Sequence, residues 1–132
     1  MKQIDPKSIN TTMLAYLGDA VYEVFIREKI VHEQPHDAGR AHHRAVRYVS
    51  ADGQAKAVKA MESAGFLTDE ELALYKRARN HRTMSRPQHT DPKTYKMATG
   101  FEALLGYLHL KGDPVRIKEI AEEAVNIIDS VQ

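Results

Sequence analysis

The stretch MLAYLGDAVYE, Met13 to Glu23, decides how this chain folds. From Met13 through Tyr22 every residue is apolar, small or aromatic except Asp19. A segment apolar on every side reads as a buried helix, and an ionised carboxylate buried there without a partner is costly. Something is therefore expected opposite Asp19. A second stretch, MATGFEALLGYLH from Met97 to His109, repeats the pattern, with Glu102 as the only acid among Phe101, Ala103, Leu104, Leu105 and Tyr107. Gly18 adjoins Asp19, and Gly100 and Gly106 flank Glu102, which predicts two helices able to approach closely and bring the carboxylates together. Two carboxylates in one small volume repel unless a proton or cation lies between them. A hard divalent ion such as Mg2+ suits such a pair, since it takes oxygen ligands and commonly uses only one or two protein carboxylates beside water and phosphate. The competing reading is structural, each acid capping a helix or pairing with an arginine.

Around these two segments the spacing predicts an all-α fold of about six helices. The first runs from about Thr12 to Val31, with Asn10, Thr11 and Thr12 as cap candidates and Leu14, Leu17, Val21, Val24 and Phe25 on one face. Residues 1–10 read as a loose lead-in. Asp37 caps a second helix carrying Arg40, Arg44 and Arg47 along one side, and Ser50 opens a third that stops at Gly65. Thr68 with Glu71 forms a capping box before a fourth helix. Asp91-Pro92 and Asp113-Pro114 each pair a cap with proline at the first helical position, starting the fifth and sixth. There is no sustained alternation, hairpin dipeptide or β-branched run to support strands.

With 132 residues, 42% hydrophobic and 28% charged, the chain has the size and balance of one globular domain. No apolar run is long enough to span a bilayer, and Met1 to Ser8 lacks a signal-peptide core, so a cytoplasmic protein away from membranes is expected. The absence of cysteine excludes disulfides, thiolate metal sites and cysteine nucleophiles. Net charge is only +1, but Lys76 to Lys96 holds seven basic residues against Asp91 alone, a local +6 that leaves −5 for the remainder. Such asymmetry predicts an edge that faces a polyanion.

These residues also carry a resemblance. LAYLGDAVYE resembles the ribonuclease III signature LEFLGDAVL, and FEALLGYLHL is similar to that family's DTFEALIGA element, at the spacing of one catalytic domain. Tyr16, KRARN at Lys76 to Asn80, TDPKTYKMATGFEALLGYL at Thr90 to Leu108, and a chain ending without a double-stranded-RNA-binding domain resemble the compact branch, Mini-ribonuclease III. The resemblance implies a homodimeric, Mg2+-dependent endoribonuclease acting on double-stranded RNA, typically the 23S large-subunit ribosomal RNA precursor. It makes Asp19 and Glu102 the catalytic and metal-binding residues. Two family carboxylates are missing: Ala15 stands four residues before Asp19, and Thr99 three before Glu102. Fewer protein ligands and more water around the ion are expected.

Duplex RNA is read through phosphates, 2'-hydroxyls and shape. The candidate RNA contacts are Arg77, Arg79, Arg82, Arg86, Lys93 and Lys96, with Arg44 and Arg47 extending the surface or forming ion pairs with Glu23 or Glu28. An apolar face of the signature helix is the expected dimer seam, a twofold placing one site on each strand. Two other readings stand beside the nuclease: a non-catalytic RNA-binding module of the same fold, and a helical adaptor for a partner protein.

Overall fold

Six helices follow one another through the chain: α1 (Thr11–His32), α2 (Ala38–Val49), α3 (Ala51–Ser63), α4 (Asp69–Arg79), α5 (Pro92–Lys111) and α6 (Pro114–Ser130). The computed structural model describes residues 3–34, 36–81 and 90–130, and among them there is no strand. The helices start where the cap residues predict. The side chain of Asn10 accepts from the Thr12 amide at 2.7 Å and that of Asp37 from the Arg40 amide at 2.8 Å. Thr68 and Glu71 form the reciprocal capping box. Asp91 and Asp113 accept from backbone amides three residues on, each ahead of a proline-led helix. Gly112 ends α5 in the left-handed region at φ 83°, where a side chain would be strained.

Helix α5 is the centre. Ala98, Gly100, Phe101 and every residue from Ala103 to Leu108 are buried, while α1, α3, α4 and α6 pack around it. Its longest partner is α1, and the two backbones touch. A Cβ added at Gly18 would lie 1.6 Å from the Glu102 carbonyl oxygen, and one at Gly106 would lie 2.0 Å from that of Leu14. Gly100 plays a different part from the one its spacing suggests. It makes room for the ring of Tyr75 on α4.

Helix α1 departs from its expectation. It is buried on one face only, through Leu14, Ala15, Gly18, Tyr22, Ile26 and Ile30. Val24, assigned by its spacing to the inward face, is exposed, as are Met13, Tyr16 and Val31. Asp19 is exposed too, at the edge of the packed face rather than within a buried core. An apolar stretch therefore need not be buried all round: composition does not say which face the other helices cover.

The lead-in is partly structured. Pro6–Ser8 form a 3-10 turn capped by Asp5, and Ile9 packs against the core. A feature with no sequence signature closes the far end of the bundle. Arg116 on α6 donates to both oxygens of Glu71, at 2.8 and 2.9 Å, and to the Phe66 carbonyl at 2.8 Å. Burial alone would raise the Glu71 carboxyl, but the hydrogen bonds from Arg116 and Thr68 hold it below its ordinary value.

Candidate active site

The close approach of α1 and α5 at Gly18 and Gly106 fixes the position of the two acids. Asp19 follows Gly18 directly, and Glu102 lies one turn before Gly106 on the helix that Gly18 touches. The Asp19 carboxyl lies close enough to Glu102 for its charge to act on it. Glu102 is half-buried, whereas Asp19 opens to solvent. Burial first, and then the charge of Asp19, push the Glu102 carboxyl up from 4.5 to about 8, with a smaller push from Glu23. Among the described residues no lysine or arginine forms an ion pair with either acid. The predicted pairing holds, and the structural alternative of an arginine partner finds no support in these contacts.

Among the described residues, the hydrogen bond donated to Glu102 from another helix comes from Gln54, on the first turn of α3, whose Nε2 lies 3.2 Å from Glu102 Oε2. Gln54 is 1% exposed and also donates to the Val49 carbonyl at 3.0 Å. Reading the sequence does not find it. The available signal is an amide on the same face as Val58 and Met61, where the rest of the helix presents small or apolar side chains to the core.

This donor set suits a hard cation. It consists of carboxylate oxygen without imidazole or thiolate, and the proton that Glu102 retains occupies the place of a missing counter-charge. No group of three or more His, Cys, Asp or Glu capable of holding a metal exists among the described residues. A cation placed there would have at most these two carboxylates, Asp19 and Glu102, as direct protein ligands among the described residues. Ala15 is buried in the core, so the family carboxylate missing there is replaced by packing. Glu23, one turn beyond Asp19, is held by Arg27 at 3.1 Å.

The predicted basic residues are not gathered in one place. Arg44 pairs with Glu33, neither of the partners anticipated for it. Arg47 donates to the Ile128 carbonyl at 3.1 Å and lies 3.9 Å from Asp129. Arg77 reaches the Lys7 carbonyl at 3.4 Å. Arg79 lies over the Tyr75 ring and 3.7 Å from Glu62. Lys93 and Lys96 are exposed on the first turns of α5, turned from Glu102 by about 180° and about 120° at 100° per residue. Arg82 and Arg86 lie outside the described residues.

Comparison with known proteins agrees with this arrangement. A model of the ribonuclease III domain matches residues 12–113. The chain is 42% identical over 116 residues to a protein named Mini-ribonuclease 3 from Enterococcus faecalis, with 88% of each chain covered. It is 37% identical over 132 residues to one of the same name from Symbiobacterium thermophilum, over the full length of both. A crystal structure of a Fusobacterium nucleatum protein superposes with a TM-score of 0.80 at 26% identity, covering 95% of this chain and 98% of the other. The chain therefore belongs to the ribonuclease III family of endoribonucleases, in the branch whose members are named Mini-ribonuclease 3.

Proposed function

We propose that the protein is a Mg2+-dependent endoribonuclease that cuts double-stranded RNA as a homodimer and matures the ends of the 23S ribosomal RNA precursor in the cytoplasm. One observation carries the reading: Asp19 and Glu102, from different helices, lie close enough to interact, and among the described residues neither forms an ion pair with a lysine or arginine. Asp19 offers its oxygens toward solvent, where a phosphate can approach, and Glu102 stands behind it on the rigid central helix. These two side chains would hold the ion, with water completing its shell. When bound, Mg2+ supplies charge neutralisation at the scissile phosphate and a more acidic water. Neither carboxylate needs to attack phosphorus, and a chain without cysteine has no thiol to do so.

Family membership supports duplex RNA as substrate, and the ribosomal precursor rests on resemblance to the compact branch. The exposed Lys76, Arg77, Lys93 and Lys96 would meet phosphates of the duplex away from the cut itself, and Arg82 and Arg86 belong to the same basic stretch of sequence. Arg44 and Arg47 remain exposed despite their protein partners and can add to that surface.

The dimer is supported by α1. Met13, Tyr16, Ala20, Val24 and Val31 fall in one stripe, within about 60° of Met13 at 100° per residue, opposite the buried Tyr22. Tyr16 is 76% exposed. A groove between α1 and α2, lined by Ile30, Val31, Ala41, Ala45 and Val49, opens beside it. The exposed apolar stripe supports an interface on this face, although the groove beside it also carries Glu23, Arg27 and His42.

The test is incubation of the purified protein with a duplex RNA in Mg2+ and in EDTA, with binding followed at rising salt. Cleavage in Mg2+ alone is expected, with affinity falling steeply as salt increases. A duplex that is bound but never cut would identify a non-catalytic RNA-binding module, and one neither bound nor cut an adaptor of another kind.

A further inference from the structure

Among the described residues, the buried polar or charged side chains are Thr11, Glu71 and Gln54. Glu71 has its place explained by the capping box and Arg116. Gln54 does not cap its helix, a role taken by Ser50. Its Nε2 is divided between the Val49 carbonyl and Glu102, and its Oε1 is buried with no hydrogen-bond partner among the described residues. Burying an amide with one end unsatisfied is unfavourable, and a methionine of similar volume would fill the same space without that penalty. Packing alone gives no reason for glutamine here. Reversing the amide would set Oε1 against the Val49 carbonyl, an acceptor, and lose that anchor to the main chain.

The other end of the interaction supplies the reason. Glu102 is a long side chain with three rotatable bonds, held beside an acid that repels it. A fixed donor on Oε2 opposes that repulsion and selects one rotamer. The donor is itself anchored to the main chain at Val49, immediately before the α2–α3 junction. Helix α3 thereby contributes to a site whose acids come from α1 and α5.

We propose that Gln54 is a positioning residue, its Nε2–H fixing the Glu102 carboxylate in the orientation that lets Glu102 and Asp19 share one divalent cation. This rests on the proposed metal-dependent reading of the pair. Outer partners of metal ligands commonly change metal affinity or activity by about 10- to 100-fold when removed.

The experiment compares wild type with Gln54→Met, which removes both hydrogen bonds, and Gln54→Asn, which keeps a buried amide near Val49 but shortens its reach by one methylene. Mn2+ is the probe, its binding to RNA-free protein measured by the EPR signal of the free ion, with melting curves confirming the fold. Both variants should bind Mn2+ about tenfold more weakly or worse. In cleavage assays they should need correspondingly more Mg2+, with KM for duplex RNA within about twofold of wild type, as expected of a residue that acts only through a ligand. A folded variant that binds Mn2+ and cleaves within about twofold of wild type overturns the proposal. So does failure of both variants to fold, which would make Gln54 a structural residue. If instead wild type binds no Mn2+, or Glu102→Gln binds it as tightly as wild type, the metal-dependent reading itself fails, whatever Gln54 does.

Discussion

Asp19 and Glu102 repel each other, and the repulsion has a measurable consequence for stability. Glu102 holds its proton up to about pH 8 in the folded chain, because it is buried and faces Asp19 and then Glu23 on α1, with only the Gln54 amide of α3 to favour its charged form. In the unfolded chain it titrates near 4.5. Between those values the folded state binds the extra proton, so this group's contribution to stability falls as pH rises from about 4.5 to about 8. Glu102→Gln should therefore melt close to wild type near pH 4 and above it at pH 8, in EDTA. Melting curves across that range check this, and a constant difference at all pH values contradicts it. Mg2+ should raise the wild-type midpoint at pH 8 and leave that of the variant unchanged. At this scale the two acids were legible because each is the lone acid within an apolar stretch, Met13 to Tyr22 and Met97 to His109. The solvent exposure of Asp19 was not, since apolar composition does not say which face of a helix is covered. Gln54 was hidden because its role depends on Val49 and Glu102, the latter 48 residues away.

The site exists because two helices touch through backbone. At Gly106 an added Cβ would meet the Leu14 carbonyl oxygen and carbon at 2.0 and 2.9 Å, and the Gly18 nitrogen at 3.1 Å. These are main-chain atoms that cannot rotate away, so α1 and α5 must separate. Gly106→Ala should destabilise the fold by about 3 kcal/mol or more, the upper end of overpacking costs. It should also reduce cleavage in whatever fraction remains folded, by parting Asp19 from Glu102. Denaturant titration measures the first effect, and stability within about 0.5 kcal/mol of wild type would show that the contact yields easily. Helix boundaries were readable from Asn10, Asp37, Ser50, Thr68, Asp91 and Asp113, because capping is local chemistry. The close approach at Gly18 and Gly106 was anticipated from the glycines beside the acids. That Gly100 serves Tyr75 instead, and that Arg116 locks Glu71 to Phe66, depend on packing between distant segments, which spacing along one helix does not report.

At the scale of the whole molecule, α1 carries two surfaces, one packed on α5 and the other an exposed apolar stripe through Met13, Tyr16, Val24 and Val31. Placing a charge there should prevent self-association without disturbing the core. For the proposed homodimer, Val24→Asp should shift sedimentation equilibrium from dimer to monomer, and wild type sedimenting as a monomer would contradict the dimer. A variant that sediments as wild type would move the seam elsewhere. The all-helical fold was legible from caps and apolar spacing, whereas the stretches in α1 and α5 read as equally buried and only packing sets α5 at the centre. Assembly was legible only as an expectation, since the apolar residues of α1 reveal which of them face the core once the other helices are in place. The proposed role of Asp19 and Glu102 as the cutting centre is decided by single-turnover cleavage of one duplex RNA by wild type, Asp19→Asn and Glu102→Gln in Mg2+. Loss of cleavage by about 100-fold or more in both folded variants, with duplex binding retained, is predicted. Cleavage by either variant at the wild-type rate would contradict it.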